Sequence, residues 1–346
     1  MLLKFARRFA GLGPLRLPGF IYGWLSLIQH RAFLPAILSM PNNEGWGPFS
    51  DLLCQLLDCI GEQLKTVNVS DVTKELYRAT WKLLVVIQHD FPEFMFAHHI
   101  KLCGSIPPHC TQLINTILAA SPQQNPEKLA EDEKAPSGSS EEATTILRDS
   151  GLLSMVDQAI QNGPSEDVVA QIAHAMTQNT RRDTAYGHSP VMVNARVVGA
   201  VVMHLGNHAA ERAEQAGNHV NVSGGEPEVA TLSMLVHEVS PVVRYYLLTS
   251  IANQLRAPSA QTEFFHQALL YIFGKDMNDP EETELRQDIT RILLERLGGY
   301  WPQPWGLMTT IVELLKNEKY AFFELPFIKA DPEVSTQFDS QSFRKA

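Results

Sequence analysis

Apolar residues recur along this chain at spacings of three and four, the period of an amphipathic helix. Near the C-terminal end, Leu285, Ile289, Ile292 and Leu293 form one stripe, and Met308, Ile311, Val312 and Leu315 form another. Gly298, Gly299 and Trp301-Pro302-Gln303-Pro304-Trp305 lie between them. Gly298 is suited to close the first helix in the left-handed conformation, and Pro304 to open the second. Such a hairpin must stack its stripes on neighbours, and the rest of the chain supplies them.

The first part repeats the pattern. Ile21, Trp24, Leu25 and Ile28 share a face after Pro18, and Phe33 to Met40 reads as a short helix. Phe49, Leu52, Leu53, Leu56, Ile60 and Leu64 line a long helix over 46–65, and Leu76, Thr80, Leu83 and Ile87 line the next, with Asp71 as its cap. Phe91-Pro92 starts a helix reaching about Cys103, and after Pro107-Pro108 the series Cys110, Leu113, Ile114, Ile117, Leu118 adds another.

Between 121 and 145 the periodicity vanishes and Ser, Pro, Gln, Glu, Lys and Gly take over, which predicts a flexible, mildly acidic linker. Helical spacing returns at Leu152, Leu153, Val156 and Ile160, then at Val168, Val169, Ile172 and Met176. Residues 179–189 read as a polar loop. Val191 to Ala213 is so apolar in its middle that it should be buried on most sides. A Gly-rich loop over 217–227 precedes a helix from Val229 to Val239. Pro241 starts the next, with Leu248, Ile251, Ala252 and Leu255 as its stripe. Phe265, Ala268, Leu269 and Ile272 mark another. Asp279-Pro280-Glu281-Glu282 has the form of a capping box before a helix. With no alternating strand of useful length, the fold class is all-α: about fourteen helices in a HEAT-like stack of antiparallel helical hairpins, an α-solenoid. The expected organisation is an N-terminal helical half (1–120), the linker (121–145), a C-terminal helical half (146–338) and a disordered tail (339–346).

Composition narrows the function. A net charge of −10 over 346 residues argues against a surface devoted to phosphate backbones. No run approaches the roughly 18 apolar residues of a membrane span. Cys54, Cys59, Cys103 and Cys110 sit in apolar helical surroundings and read as reduced, intracellular thiols. Residues 1–43 hold Lys4, Arg7, Arg8, Arg16 and Arg31 and no acid before Glu44. That composition fits a transit peptide, but also the basic face of a first helix, and 18–40 already has folded character.

Candidate chemistry is sparse. His98, His99, Cys103, His109 and Cys110 cluster in sequence, yet adjacent helical residues face apart and no Cys-x-x-Cys occurs, so packing is the expected role. His204 and His208 lack the intervening glutamate of a metalloprotease helix. The Gly217–Gly225 stretch has no phosphate-cradle fingerprint. The reading is therefore no catalytic residue, no cofactor and no metal. Tyr300, Trp301, Trp305, Tyr320, Phe322 and Phe323 crowd the last third. Trp305 and Phe322 are expected in the core. Tyr300, Trp301, Tyr320 and Phe323 are the candidate partner-binding residues, since aromatics anchor interfaces.

WPQPWGL (301–307) with ELLKN (313–317) resembles a signature of the Not-one scaffold subunit of the Ccr–Not deadenylase complex, in its C-terminal domain. LPGFIYGWLSLIQHRAF (17–33), LLVVIQHDFPEF (83–94), IPPHCTQLINTIL (106–118), YYLLTSIANQLR (245–256) and FIKADPEV (327–334) are similar to segments of that domain in the same order. The acidic 123–150 stretch departs from the family, where a Pro-Phe-Thr-Pro stretch is usual. The resemblance implies a HEAT-like, non-catalytic scaffold that binds the Not-box subunits, Not-two and Not-three/five. It also implies a role in mRNA decay and translational repression, in the cytoplasm and also the nucleus, without strong direct nucleic-acid binding and without a membrane. The competing readings are another helical-repeat adaptor and, from the histidine clusters, a helical metalloenzyme.

Overall fold

In the computed structural model the described residues are 1–65, 68–120, 138–178, 192–217, 222, 224–275, 279–299 and 303–330. They form two compact units: residues 1–150 with 194–200, and residues 151–193 with 201–346. Of the expected segments, 121–137 and 331–346 lie outside the described residues.

The first unit contains α1 (Leu2–Ala10), α2 (Ile21–Ile28), α3 (Leu34–Leu38), α4 (Trp46–Leu64), α5 (Asp71–Asp90), α6 (Pro92–Ala97), α7 (His99–Cys103), α8 (Thr111–Leu118) and α9 (Gly138–Asp149). Pro18–Phe20 is a single 3₁₀ turn leading into α2, so the helix starts three residues later than Pro18. At the heart lies α4, whose stripe Phe49, Leu52, Leu53, Leu56 and Ile60 is buried. Each such side chain contributes about 1.5–3 kcal/mol relative to exposure. Onto α4 pack α1, α3, α5 and α7, and α8 covers α5. Trp24 is fully buried and stacks on Phe9, with ring centroids 5.4 Å apart. The cap of α5 is Ser70, whose hydroxyl accepts from the Thr73 amide; Asp71, expected as the cap, is the first helical residue.

The expected linker ends earlier than 145. Residues 138–149 are helical, with Ala143 and Leu147 fully buried. Glu142 accounts for this. Its carboxylate accepts from the Ile100 amide (3.0 Å) and the Lys101 amide (3.4 Å), and so satisfies free donors at the start of α7. A short apolar pair in a polar stretch is invisible to a periodicity window, yet enough to dock one helix.

The second unit holds α10 (Leu153–Asn162), α11 (Glu166–Ala175), most of α12 (Ala195–Gln215), α13 (Pro227–Glu238), α14 (Pro241–Ala252), α15 (Ala260–Phe273), α16 (Pro280–Gly299), α17 (Trp305–Lys316) and α18 (Pro326–Ala330). Thr177–Gln178 and Met192–Val193 pair as a two-residue antiparallel ladder, too short to leave an alternating pattern in sequence. Successive helices pack on each other from α13 to α17. Much of α15 is buried, including Phe264, Phe265, Ala268, Leu269, Ile272 and Phe273. It fits closely against α12: a Cβ on Gly206 would lie 2.3 Å from the Phe265 ring, so only glycine permits the approach. The all-α expectation holds, with eighteen α-helices among the described residues. Short helices such as α6 and α7, read as one, account for part of the excess over fourteen. Gly298 does not close its helix in the left-handed region; α16 runs on to Gly299.

Candidate partner-docking surface

The aromatic C-terminal segment divides by burial. Tyr300 and Trp301 lie outside the described residues. Tyr320, a candidate contact, is 5% exposed and meets the Phe273 ring edge-on at 5.9 Å. Burial first, and then the Glu313 charge, raise its phenol above the ordinary value, so Tyr320 is a packing residue here. Phe322 stacks on Phe273 itself at 6.2 Å and is buried, as expected. Phe323 is 42% exposed and offers a ring to solvent. Trp305, expected in the core, is 44% exposed. The α17 stripe turns inward at Gly306 and Leu307 instead, and the Gly306 amide is fixed to the Arg256 carbonyl at 2.8 Å.

The sequence reading missed a cleft of about 510 Å³ between α14 and α16. Pro241, Val242, Arg244 and Tyr245 line one side, and Glu284, Gln287, Asp288 and Arg291 the other. Arg244 donates through Nε to Asp288 (3.0 Å) and lies 3.7 Å from Glu284. Tyr245 donates its hydroxyl proton to Glu295 (2.6 Å), and Arg291 both binds Glu295 (2.9 Å) and covers the Tyr245 ring at 5.2 Å. Burial, then the bond to Glu295, pushes the Tyr245 phenol well above its ordinary value, so it remains a donor. The cleft thus has a fixed polar floor, a half-exposed valine edge and exposed Glu284. None of its described side chains is an activated nucleophile; they present hydrogen-bond donors, acceptors and charge. The signal was available, because 284, 287, 288 and 291 repeat at i, i+3, i+4, i+7 as a polar stripe beside the apolar one.

The histidines of the two clusters have separate surroundings. His98 lies 3.4 Å from Glu142, and His99 is buried with Nδ1 2.8 Å from the Phe96 carbonyl. His204 pairs with Asp157 and His208 with Glu228, each at 2.8 Å. Burial pushes the Cys54 and Cys110 thiols up to about 11, which favours the protonated thiol over the nucleophilic thiolate. Among the described residues no three His, Cys, Asp or Glu side chains gather as a metal site. No described helix is long and apolar enough to cross a membrane.

The family described as CCR4-Not complex component, Not1, matches residues 1–342. The chain belongs to the Not1 family. It is 30% identical over 98% of its length to the CCR4-NOT transcription complex subunit let-711 of Caenorhabditis elegans. It is 31% identical over 96% to the general negative regulator of transcription subunit 1 of Schizosaccharomyces pombe. It spans 13% and 16% of those two proteins. Among solved structures, it is 47% identical to the NOT1 superfamily homology domain from Chaetomium thermophilum, with a TM-score of 0.82, covering 98% of this chain and 68% of that one. A Not1 C-terminal domain in complex with Not4 is 26% identical, with a TM-score of 0.75 over 97% of this chain and 68% of that one. The family read from WPQPWGL and its companion segments is thus the family found.

Proposed function

We propose that this chain is a non-catalytic scaffold module of the Ccr–Not complex that holds the Not-box subunits, Not-two and Not-three/five. It would thereby link regulators to mRNA deadenylation, decay and translational repression, in the cytoplasm and the nucleus. The observation that carries this reading is the match to the Not1 family over residues 1–342, together with the high likeness to a NOT1 superfamily homology domain. A helical scaffold does its work by tethering: it raises the effective concentration of nuclease and target without chemistry of its own. The α14–α16 cleft and the exposed Phe323 are the docking features this reading uses, because they combine oriented polar groups with apolar edges open to solvent.

The test is capture of purified Not-two and Not-three/five Not-box segments by the purified chain. Stable complexes on gel filtration support the proposal; no capture of either subunit at micromolar concentration sinks it. Arg291→Ala and Phe323→Ala then locate the contact, since both side chains are exposed and should leave the melting temperature nearly unchanged. A second reading has a specific observation behind it. The Not1 C-terminal domain that is 26% identical was solved in complex with Not4, which makes a Not4-type segment the alternative occupant. Competition between Not4 and the Not-box segments for this chain distinguishes shared from separate surfaces.

A further inference from the structure

In the first unit, cations after residue 60 tend to have carboxylate partners: Lys65, Lys74, Arg78, Lys101 and Arg196 each form an ion pair. Lys4, Arg7, Arg8, Arg16 and Arg31 are exposed and have no carboxylate partner among the described residues. No acid occurs before Glu44. The same stretch carries Phe5, Leu12, Leu15, Leu17, Phe20 and Leu27 at 40–58% exposure. Phe5 and Phe20 lie around a single buried ring. Phe5 stacks on the buried Phe9 at 5.2 Å and Phe20 meets Phe9 edge-on at 6.4 Å, so α1 and the turn before α2 share an anchor. The loop between them is held tightly: the Arg16 and Leu17 amides donate to the Gly13 carbonyl, at 2.9 and 3.1 Å. A Cβ on Gly13 would meet the Gln55 side chain at 2.0 Å.

We infer that this basic, apolar ridge of α1, the 11–20 loop and α2 docks an acidic protein segment bearing leucine or phenylalanine side chains. Charge decides the occupant. A cluster of one sign on a chain of net charge −10 is a local inversion, and it favours carboxylates that can reach unpaired guanidinium groups while apolar side chains cover the leucines. A lipid surface fits less well, because α1 has only nine residues and its Ala6 and Phe9 are already buried in the core. RNA fits less well too, since four of the six exposed apolar side chains are leucines, which give bases nothing to stack on, and the Phe5 and Phe20 rings are already engaged with Phe9.

The experiment is fluorescence anisotropy of the purified chain with a labelled peptide of repeating Glu-Leu-Asp-Phe. Its counterpart has Lys for each acid; a uridine oligonucleotide and phosphatidylcholine vesicles containing phosphatidylserine complete the set. The expected result is saturable binding of the acidic peptide alone, weakened at least about tenfold in Arg7→Glu/Arg8→Glu/Arg16→Glu and also weakened by Leu15→Asp. Circular dichroism melts of both variants should match the parent, as these side chains are exposed. Absence of peptide binding, equal binding of the lysine counterpart, or tighter binding of RNA or vesicles overturns the inference. Capture of Not-box segments is scored separately, so either idea can fail while the other stands.

Discussion

Among the described residues, the first unit keeps Asp, Glu, Lys and Arg out of its buried positions, whereas the second buries Glu228, Glu282, Arg286 and Arg296. In the first, ion pairs stay in reach of water: Lys65–Glu62 and Lys74–Asp71 are neighbours one helical turn apart, and the pairs that do bridge helices, Lys101–Asp51 and Arg196–Asp58, are part-exposed, so screening leaves them less to contribute than buried pairs. In the second, buried charges bridge helices. Glu228 of α13 binds His208 and Arg212 of α12, Glu282 of α16 faces His237 of α13 at 3.3 Å, and Arg286 of α16 donates to carbonyls at the end of α15. Greasy faces fix that helices pack; bridging charges fix which register they pack in, because a slipped helix leaves a buried charge bare.

The largest effect should come from Arg286, 1% exposed, whose Nε donates to the Phe273 carbonyl at 2.9 Å and whose terminal nitrogen donates to the Lys275 carbonyl. Those carbonyls close α15, so a cation there offsets both unsatisfied acceptors and the helix dipole. Arg286→Ala should destabilise by about 3–5 kcal/mol in chemical denaturation. Lys74→Ala in the first unit should stay within about 0.5 kcal/mol. Equal effects would erase the contrast.

Glu228 comes next. It is fully buried while its partners His208 and Arg212 are 44% and 43% exposed, so when the carboxylate is removed both side chains can turn to water. Glu228→Gln should cost about 2–3 kcal/mol, because a buried amide then faces two donors. Glu228→Met should cost less than Glu228→Gln if the pair specifies register rather than stability. The reverse order in urea titrations would make the ion pair itself the stabilising element.

Glu142 is the place where the first unit comes nearest to the second's habit, with its side chain 7% exposed. Glu142→Ala should cost about 1–2 kcal/mol, as loss of a helix cap does. It should also release the Ile100 and Lys101 amides to hydrogen exchange. Unchanged protection there would mean that Ala143 and Leu147 alone hold α9.

What could be read from sequence follows from the same contrast. The stripes of α2 and α4 are apolar and regular, and all their residues except Leu64 are buried as the spacing implies. Bridging charges do not announce themselves. Glu282 looked like a local capping residue and is a tertiary partner of His237; Trp305 looked like an anchor and stands at the surface. Helix α9 leaves no periodic signal because Ala143 and Leu147 are too few to set one, and the α14–α16 cleft is lined by a polar stripe that hydrophobic spacing does not mark. Side-chain polarity is a good guide to burial when a helix has one face in water. It fails where helices are covered on several sides and polar groups find partners across the chain.

The smallest effect sharpens the comparison through pH. His266 of α15 is 9% exposed, with Nδ1 2.9 Å from the Thr310 hydroxyl of α17. Burial lowers its pKa below the ordinary 6.5, and the negative charges of Glu263 and Glu313 oppose this only in part. The unfolded chain therefore takes up this proton first as pH falls. Stability from neutral His266 is complete above 6.5 and declines below it, until the folded form is protonated too. Between about pH 7.5 and about pH 5.5 the parent should lose more stability than His266→Gln, whose amide can keep a bond to Thr310 without titrating. Equal losses would mean that His266 can be charged in place. The second unit would then tolerate a charge even where no buried carboxylate has been supplied to meet it, and the bridging pairs of Glu228 and Glu282 would no longer be the condition for putting charge inside.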